Sequence, residues 1–140
     1  MKSMRRLKLW HLPKINGAGL VFLRGMDKLE HLDLSTSRGI NDKGLEHLES
    51  ASFGTGESCL KTLYLDNLSM ITDKGVSHLA SHTNLEELTL IHCVSLTDDC
   101  LQYFESMKSL TYLDLSYCEG ITAPAVEKLI KVLPNCDINY

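Results

Sequence analysis

Apolar residues recur along the chain in one frame, L-x-x-L-x-L, which begins at Met4, Leu29, Leu60, Leu85 and Leu110. The steps between these starts are 25, 31, 25 and 25 residues. Within each frame the fourth and sixth positions alternate with polar ones, so the spacing predicts a short strand with one face turned inward. A second pattern follows each strand: an apolar residue, then Asn or Thr, then a helical run. It reads Ile15-Asn16-Gly17, Ile40-Asn41-Asp42, Ile71-Thr72-Asp73, Leu96-Thr97-Asp98 and Ile121-Thr122-Ala123. Asn and Thr in second place predict N-caps, whose side-chain oxygens accept an orphan backbone N–H. Pro124 falls in the first helical turn, where its missing donor does no harm. The one long step is explained by the Gly- and Ser-rich stretch Ser52–Glu57, which reads as a loop.

A strand–turn–helix unit of 25 residues cannot bury its own apolar face, but stacked units can. The expected architecture is therefore an α/β solenoid of about five repeats. Parallel strands line a concave face, helices line the convex face, and the winding is right-handed. The repeats span residues 1–140 as one domain, with a partial sixth strand over 135–140 that carries Ile138 in register. Gly17, Gly44 and Gly75 recur with the unit, which marks them as structural. A repeat array normally carries polar caps at its ends. Neither end shows one, which predicts either a segment of a longer protein or end-to-end self-association.

The repeats resemble the cysteine-containing class of leucine-rich repeats, L-x-x-L-x-L-x-x-C followed by I-T-D-x-G-L. The unit from Leu85 places Cys93 in the Cys position and the unit from Leu110 places Cys118 there. The first three units carry Leu12, Ser37 and Leu68 instead. The run Leu113–Thr122 is similar to repeats of F-box/leucine-rich-repeat proteins, which implies substrate recognition in a ubiquitin-ligase adaptor. Three short runs resemble a mitochondrial group that includes ATP synthase coupling factor B and a complex I assembly factor. They are Leu12-Pro13, Asp98–Leu101 and Leu133–Cys136, and they imply an assembly or coupling role as the alternative.

The resemblance places a protein partner on the concave strand face. The alternating polar positions then nominate Trp10, His11, Asp33, Tyr64, Asp66, Thr89, Ile91, Tyr112, Asp114 and Tyr117. They hold the only Trp and three of the five Tyr, residue types that anchor interfaces. The three Asp predict a partner segment with basic and apolar groups.

Charge adds an asymmetry. Residues 1–28 hold seven basic side chains against Asp27 alone, while the rest holds seven basic and seventeen acidic ones. The net charge of −4 argues against nucleic acid as the partner. No run reaches the roughly 20 apolar residues of a membrane span. The N-terminus lacks a signal peptide's apolar run, and Leu7 and Leu9 already belong to the first repeat.

Five cysteines without a CxxC spacing predict reduced thiols and an intracellular setting, cytoplasmic or nuclear, with a mitochondrial one as the alternative. His78 and His82, four apart on a helix, lack a third ligand and read as surface histidines, so no metal or cofactor is expected. Cys93 and Cys118 read as small packing residues. Cys100, at a helix start, is the one thiol whose position suggests reactivity. No phosphate loop or nucleophile elbow is present, and the chain reads as a non-enzyme.

Overall fold

The computed structural model describes residues 3–49 and 58–140, so the loop expected over Ser52–Glu57 lies outside the described residues. Six strands form one parallel sheet in chain order: β1 (Arg6–Lys8), β2 (His31–Asp33), β3 (Thr62–Tyr64), β4 (Glu87–Thr89), β5 (Tyr112–Asp114) and β6 (Asp137–Asn139). The register stacks Leu7, Leu32, Leu63, Leu88, Leu113 and Ile138 in one row. Leu32, Leu63, Leu88 and Leu113 are fully enclosed in the core. Each such burial contributes roughly 1.5–3 kcal/mol. The rows of the frame's first and sixth positions, such as Leu60 with Leu85 and Leu65 with Leu90, are buried alongside. The sixth strand and its Ile138 sit where the pattern placed them.

The return segments are less uniform than the pattern predicts. Three are α-helices: α1 (Asp42–Glu46), α2 (Asp73–Ser77) and α3 (Ala123–Val132). The first and fourth units instead return through 3₁₀ helices, Gly17–Leu23 and Asp98–Phe104. In the first, Gly17 and Gly19 weaken α-helix formation.

The strands are only three residues long because the chain turns sharply just beyond them. His11, Thr36, Asn67, His92 and Tyr117 hold the same repeat position, and all adopt left-handed φ values of 54° to 61°. None is glycine, so each carries a steric cost. A backbone ladder fixes this geometry in four of the five. The N–H groups of His11, Thr36, Asn67 and His92 donate to the carbonyls of Ser35, Asp66, Ile91 and Ser116 at 2.8–2.9 Å.

Two further ladders tie repeat to repeat. Asn16 and Asn41 cap their helices as expected, accepting the N–H of Gly19 and Gly44. Thr72 and Thr122 do not cap their own helices. Their hydroxyls donate to Asp42 and Asp98 of the preceding repeat, at 2.6 and 2.8 Å. Thr97 does both: it donates to Asp73 at 2.5 Å and accepts the Asp99 N–H at 3.3 Å. The Cys position forms the other ladder. The Sγ–H groups of Cys93 and Cys118 donate to the carbonyls of Leu65 and Leu90 at 3.1 Å, and Ser37 Oγ donates to the Leu9 carbonyl at 2.7 Å. These residues are therefore backbone tethers as well as packing groups.

Gly17 and Gly44 let the first two return segments touch. A Cβ on Gly44 would lie 2.6 Å from the Cα of Gly17, a backbone atom with nowhere to go.

Candidate functional site

The repeat builds the concave face in two rows. Arg6, His31, Thr62, Glu87, Tyr112 and Asp137 stand in register in one row. Lys8, Asp33, Tyr64, Thr89, Asp114 and Asn139 form the other. A cleft of about 300 Å³ opens across the first four strands and includes Arg6, Lys8, His31, Asp33, Tyr64 and Glu87. Tyr64 anchors it. Its hydroxyl donates to Glu87 Oε1 at 2.9 Å. Burial, then the Glu87 bond, pushes this phenol up to about 12, so it remains a donor at any physiological pH.

The structure sorts the sequence-nominated residues into three groups. Asp33, Tyr64 and Tyr112 lie on the strands and are half-buried, as a concave surface requires. Thr89 and Asp114 lie on the strands too, but each is only 7% exposed, so they are corrected from contact residues to supports. Asp114 is covered by Tyr112, whose hydroxyl donates to Asp114 Oδ2 at 2.9 Å, while Asn139 donates to that hydroxyl. Burial raises this carboxyl's affinity for a proton. The bonds from Ser116, Tyr112 and Asn139 outweigh it and hold Asp114 below the usual carboxylate range.

Trp10, His11, Asp66, Ile91 and Tyr117 form the third group. They sit beyond the strand ends in the turns, not on the strands where the alternation put them. Asp66 is structural in part: its Oδ1 accepts the Ile91 N–H at 2.9 Å, and desolvation raises its pKa. Trp10 and Tyr117 are 59% and 75% exposed, so they are the open aromatic surface of this rim. Trp10 packs near His11 with ring centroids 6.3 Å apart. Four strand spacings separate Trp10 from Tyr117, roughly 19 Å, so the nominated residues form a strip and not one pocket.

Arg6, Lys8, His31 and Glu87 occupy outward-facing frame positions and line the cleft, although they are not among the ten nominated residues. Leu12, Met70 and Val94 are exposed apolar residues beyond the strand ends, where no alternation flags them.

The remaining candidates for chemistry resolve structurally. His78 Nδ1 pairs with Glu49 at 2.5 Å. His82 is not a surface residue: it is wholly buried. No group of three metal-ligating side chains occurs among the described residues. Cys100 is corrected as well, because it is fully buried and desolvation raises its thiol pKa strongly, against the lowering its helix-start position suggests. Burial likewise pushes Cys93 up to about 12 and Cys136 up to about 11. Only Cys59 is exposed. Brief iodoacetamide treatment of the native protein is therefore expected to alkylate Cys59 alone by mass spectrometry. Fast modification of Cys100 would contradict this packing. No described helix is long and apolar enough to cross a membrane.

Comparison with known proteins agrees with this geometry. A family model described as a Leucine Rich repeat matches residues 27–48 and 106–129. Lysine-specific demethylase 2B of Mus musculus is 26% identical over 133 residues, which cover 89% of this chain and 8% of that protein. F-box/LRR-repeat protein 12 of Arabidopsis thaliana is 37% identical over 92 residues, covering 64% of this chain and 22% of that protein. The chain thus spans less than a quarter of either relative.

Among solved structures, the C-terminal domain of tropomodulin from Caenorhabditis elegans superposes with a TM-score of 0.70 at 15% identity, over 96% of this chain and 84% of that one. The yeast Rad7 and Elc1 complex gives 0.62 at 20% identity, over 89% and 39%. At these identities the structural likenesses speak for the fold.

Proposed function

We propose that this chain, a leucine-rich-repeat protein whose repeats are of the F-box/LRR-like type, is a protein-interaction module that grips a partner segment across its concave sheet and the adjoining rim. The observation that carries this is the Tyr64 cleft. It is a hydrogen-bonded surface flanked by charges that form no ion pair among the described residues, with open aromatics at the rim. Rigid strands hold the contact groups at fixed spacing, so little ordering entropy opposes binding. The finer reading is substrate recognition in a ubiquitin-ligase adaptor. Support for it comes from the F-box/LRR relative and from the Leu113–Thr122 run.

The test is to compare partner affinity across variants. Tyr64→Ala is expected to weaken binding about tenfold or more, the loss typical of an interface anchor. Lys128→Ala, on α3 of the convex side, is expected to leave it unchanged. The adaptor reading further expects the partner's cellular half-life to lengthen when this protein is removed. An unchanged half-life would reject that reading and leave the binding reading intact.

A second reading, head-to-tail self-association, is favoured by one observation. Met4, Leu7, Leu9, Leu20, Phe22 and Met26 line an apolar cavity of about 390 Å³ at the first repeat. Phe22 there is 77% exposed. The basic first repeat complements the acidic remainder of a second copy. Sedimentation analysis should show a mass that rises with concentration for the wild type and a monomer for Phe22→Asp. A wild type that stays monomeric at high concentration sinks this reading.

A further inference from the structure

We infer that the concave face is sorted by charge and selects an extended segment with an acidic residue at one end and a basic residue about four positions away. This inference rests on the binding reading above and adds the partner's chemistry.

Charges on this sheet fall into two classes. Those just before the strands are already spent on one another: Arg5 pairs with Glu30, and Lys61 with Glu86 at 3.7 Å. Those on the strands that line the cleft are not. Arg6 and Lys8 are exposed and make no ion pair among the described residues. Glu87 accepts only the neutral Tyr64 hydroxyl, and Asp33 accepts the Ser35 N–H at 3.0 Å. The cations sit on β1 and Glu87 on β4, at opposite ends of one cleft, while Asp33 on β2 stands in register beside Lys8.

Geometry sets the spacing. From Arg6 to Glu87 is three strand steps, roughly 14 Å at about 4.8 Å each. An extended peptide rises about 3.3 Å per residue, so about four residues bridge the two charges. The Tyr64 ring lies between them and offers an apolar wall for the intervening side chain. A uniformly basic segment meets repulsion at Arg6 and Lys8, and a uniformly acidic one meets it at Asp33 and Glu87. Like-charge contacts of this kind are what exclude wrong partners.

The experiment is selection of a random 12-residue peptide library on the full chain, with affinities of the enriched peptides measured by fluorescence anisotropy. The expected result is enrichment of peptides with opposite charges about four residues apart. These should bind about tenfold more tightly than all-basic or all-acidic peptides of the same length. The double variant Arg6→Glu, Lys8→Glu should reverse that preference in favour of all-basic peptides, with an unchanged circular dichroism spectrum. Arg6→Gln, Lys8→Gln should flatten it. Enriched peptides that require Tyr64 but carry no such charge pair would overturn the charge sorting while sustaining the binding reading. Enriched peptides indifferent to Tyr64, or none at all, would overturn both.

Discussion

Truncating Phe104 to alanine is expected to destabilise the fold by about 3–5 kcal/mol, the usual cost of deleting a buried aromatic ring. Phe104 is fully enclosed and ends the 3₁₀ helix of the fourth repeat, which packs against α2 on one side and α3 on the other. A solenoid is held together by contacts between neighbouring repeats. A cavity at this position therefore loosens two interfaces at once. Urea denaturation followed by circular dichroism should show a lower midpoint. It should also show a shallower or biphasic transition if α3 and β6 melt separately from the rest. A loss below about 1 kcal/mol, with the transition unchanged, would mean that Phe104 is not the core group described above.

His82 should have the second largest effect, and it should be visible in pH as well as in stability. Its Nε2 faces the Leu48 carbonyl, and its Nδ1 lies 2.8 Å from Ser58 Oγ. A carbonyl only accepts, so Nε2 carries the proton and Nδ1 accepts from the hydroxyl. The ring thus joins the chain before residue 50 to the chain after residue 57. Asn84 adds a bond of 3.0 Å from Nδ2 to the Ser58 carbonyl. His82→Ala leaves these buried groups unmatched and opens a cavity, which is expected to cost about 2–4 kcal/mol.

Burial lowers the His82 pKa from 6.5, tempered by the Leu48 bond and by Glu49. The unfolded chain therefore takes up its proton first as pH falls. This contribution is complete above about pH 6.5 and is lost as pH drops through the lower folded value. His82→Gln keeps one donor and one acceptor without a titrating ring. It should flatten the decline in stability between pH 7 and pH 5 relative to wild type. Parallel slopes in the two proteins would contradict the assignment.

The fold was largely legible in the sequence because one repeated frame dictates it. Leu32, Leu63, Leu88 and Leu113 must share a row once the period is known. What was not legible depends on groups far apart in the chain. The alternation placed Thr89 and Asp114 on the right face, but their burial comes from neighbours across the sheet such as Tyr112. The pattern also carried the strand past its true end. The left-handed residue at the eighth frame position is stabilised by bonds to the next repeat in four of the five units, and local propensity does not announce it in Thr36. Cys100 was misread because a helix start does not say which side of the helix meets the core, and His82 because α2 ends at Ser77, so the two histidines do not share a helix face and the ring at 82 is buried beyond the helix.

Gly17 and Gly44 were legible as structural from their recurrence alone, and the backbone contact between them supplies the reason. The charge asymmetry of the chain was visible too. Its placement at opposite ends of the Tyr64 cleft was not, because that depends on which charges pair internally. Arg5 and Arg6 are adjacent in sequence, yet one is neutralised by Glu30 and the other faces the cleft.

The central claim is that partners bind the concave strand face. The most direct measurement places a photo-crosslinking phenylalanine analogue at Tyr64 in one protein and at Lys128 in another, irradiates each in cells, and identifies the adducts. The account predicts a discrete partner adduct from position 64 and none of that partner from position 128. The same partner crosslinking from 128 and not from 64 would place binding on the convex face and contradict it.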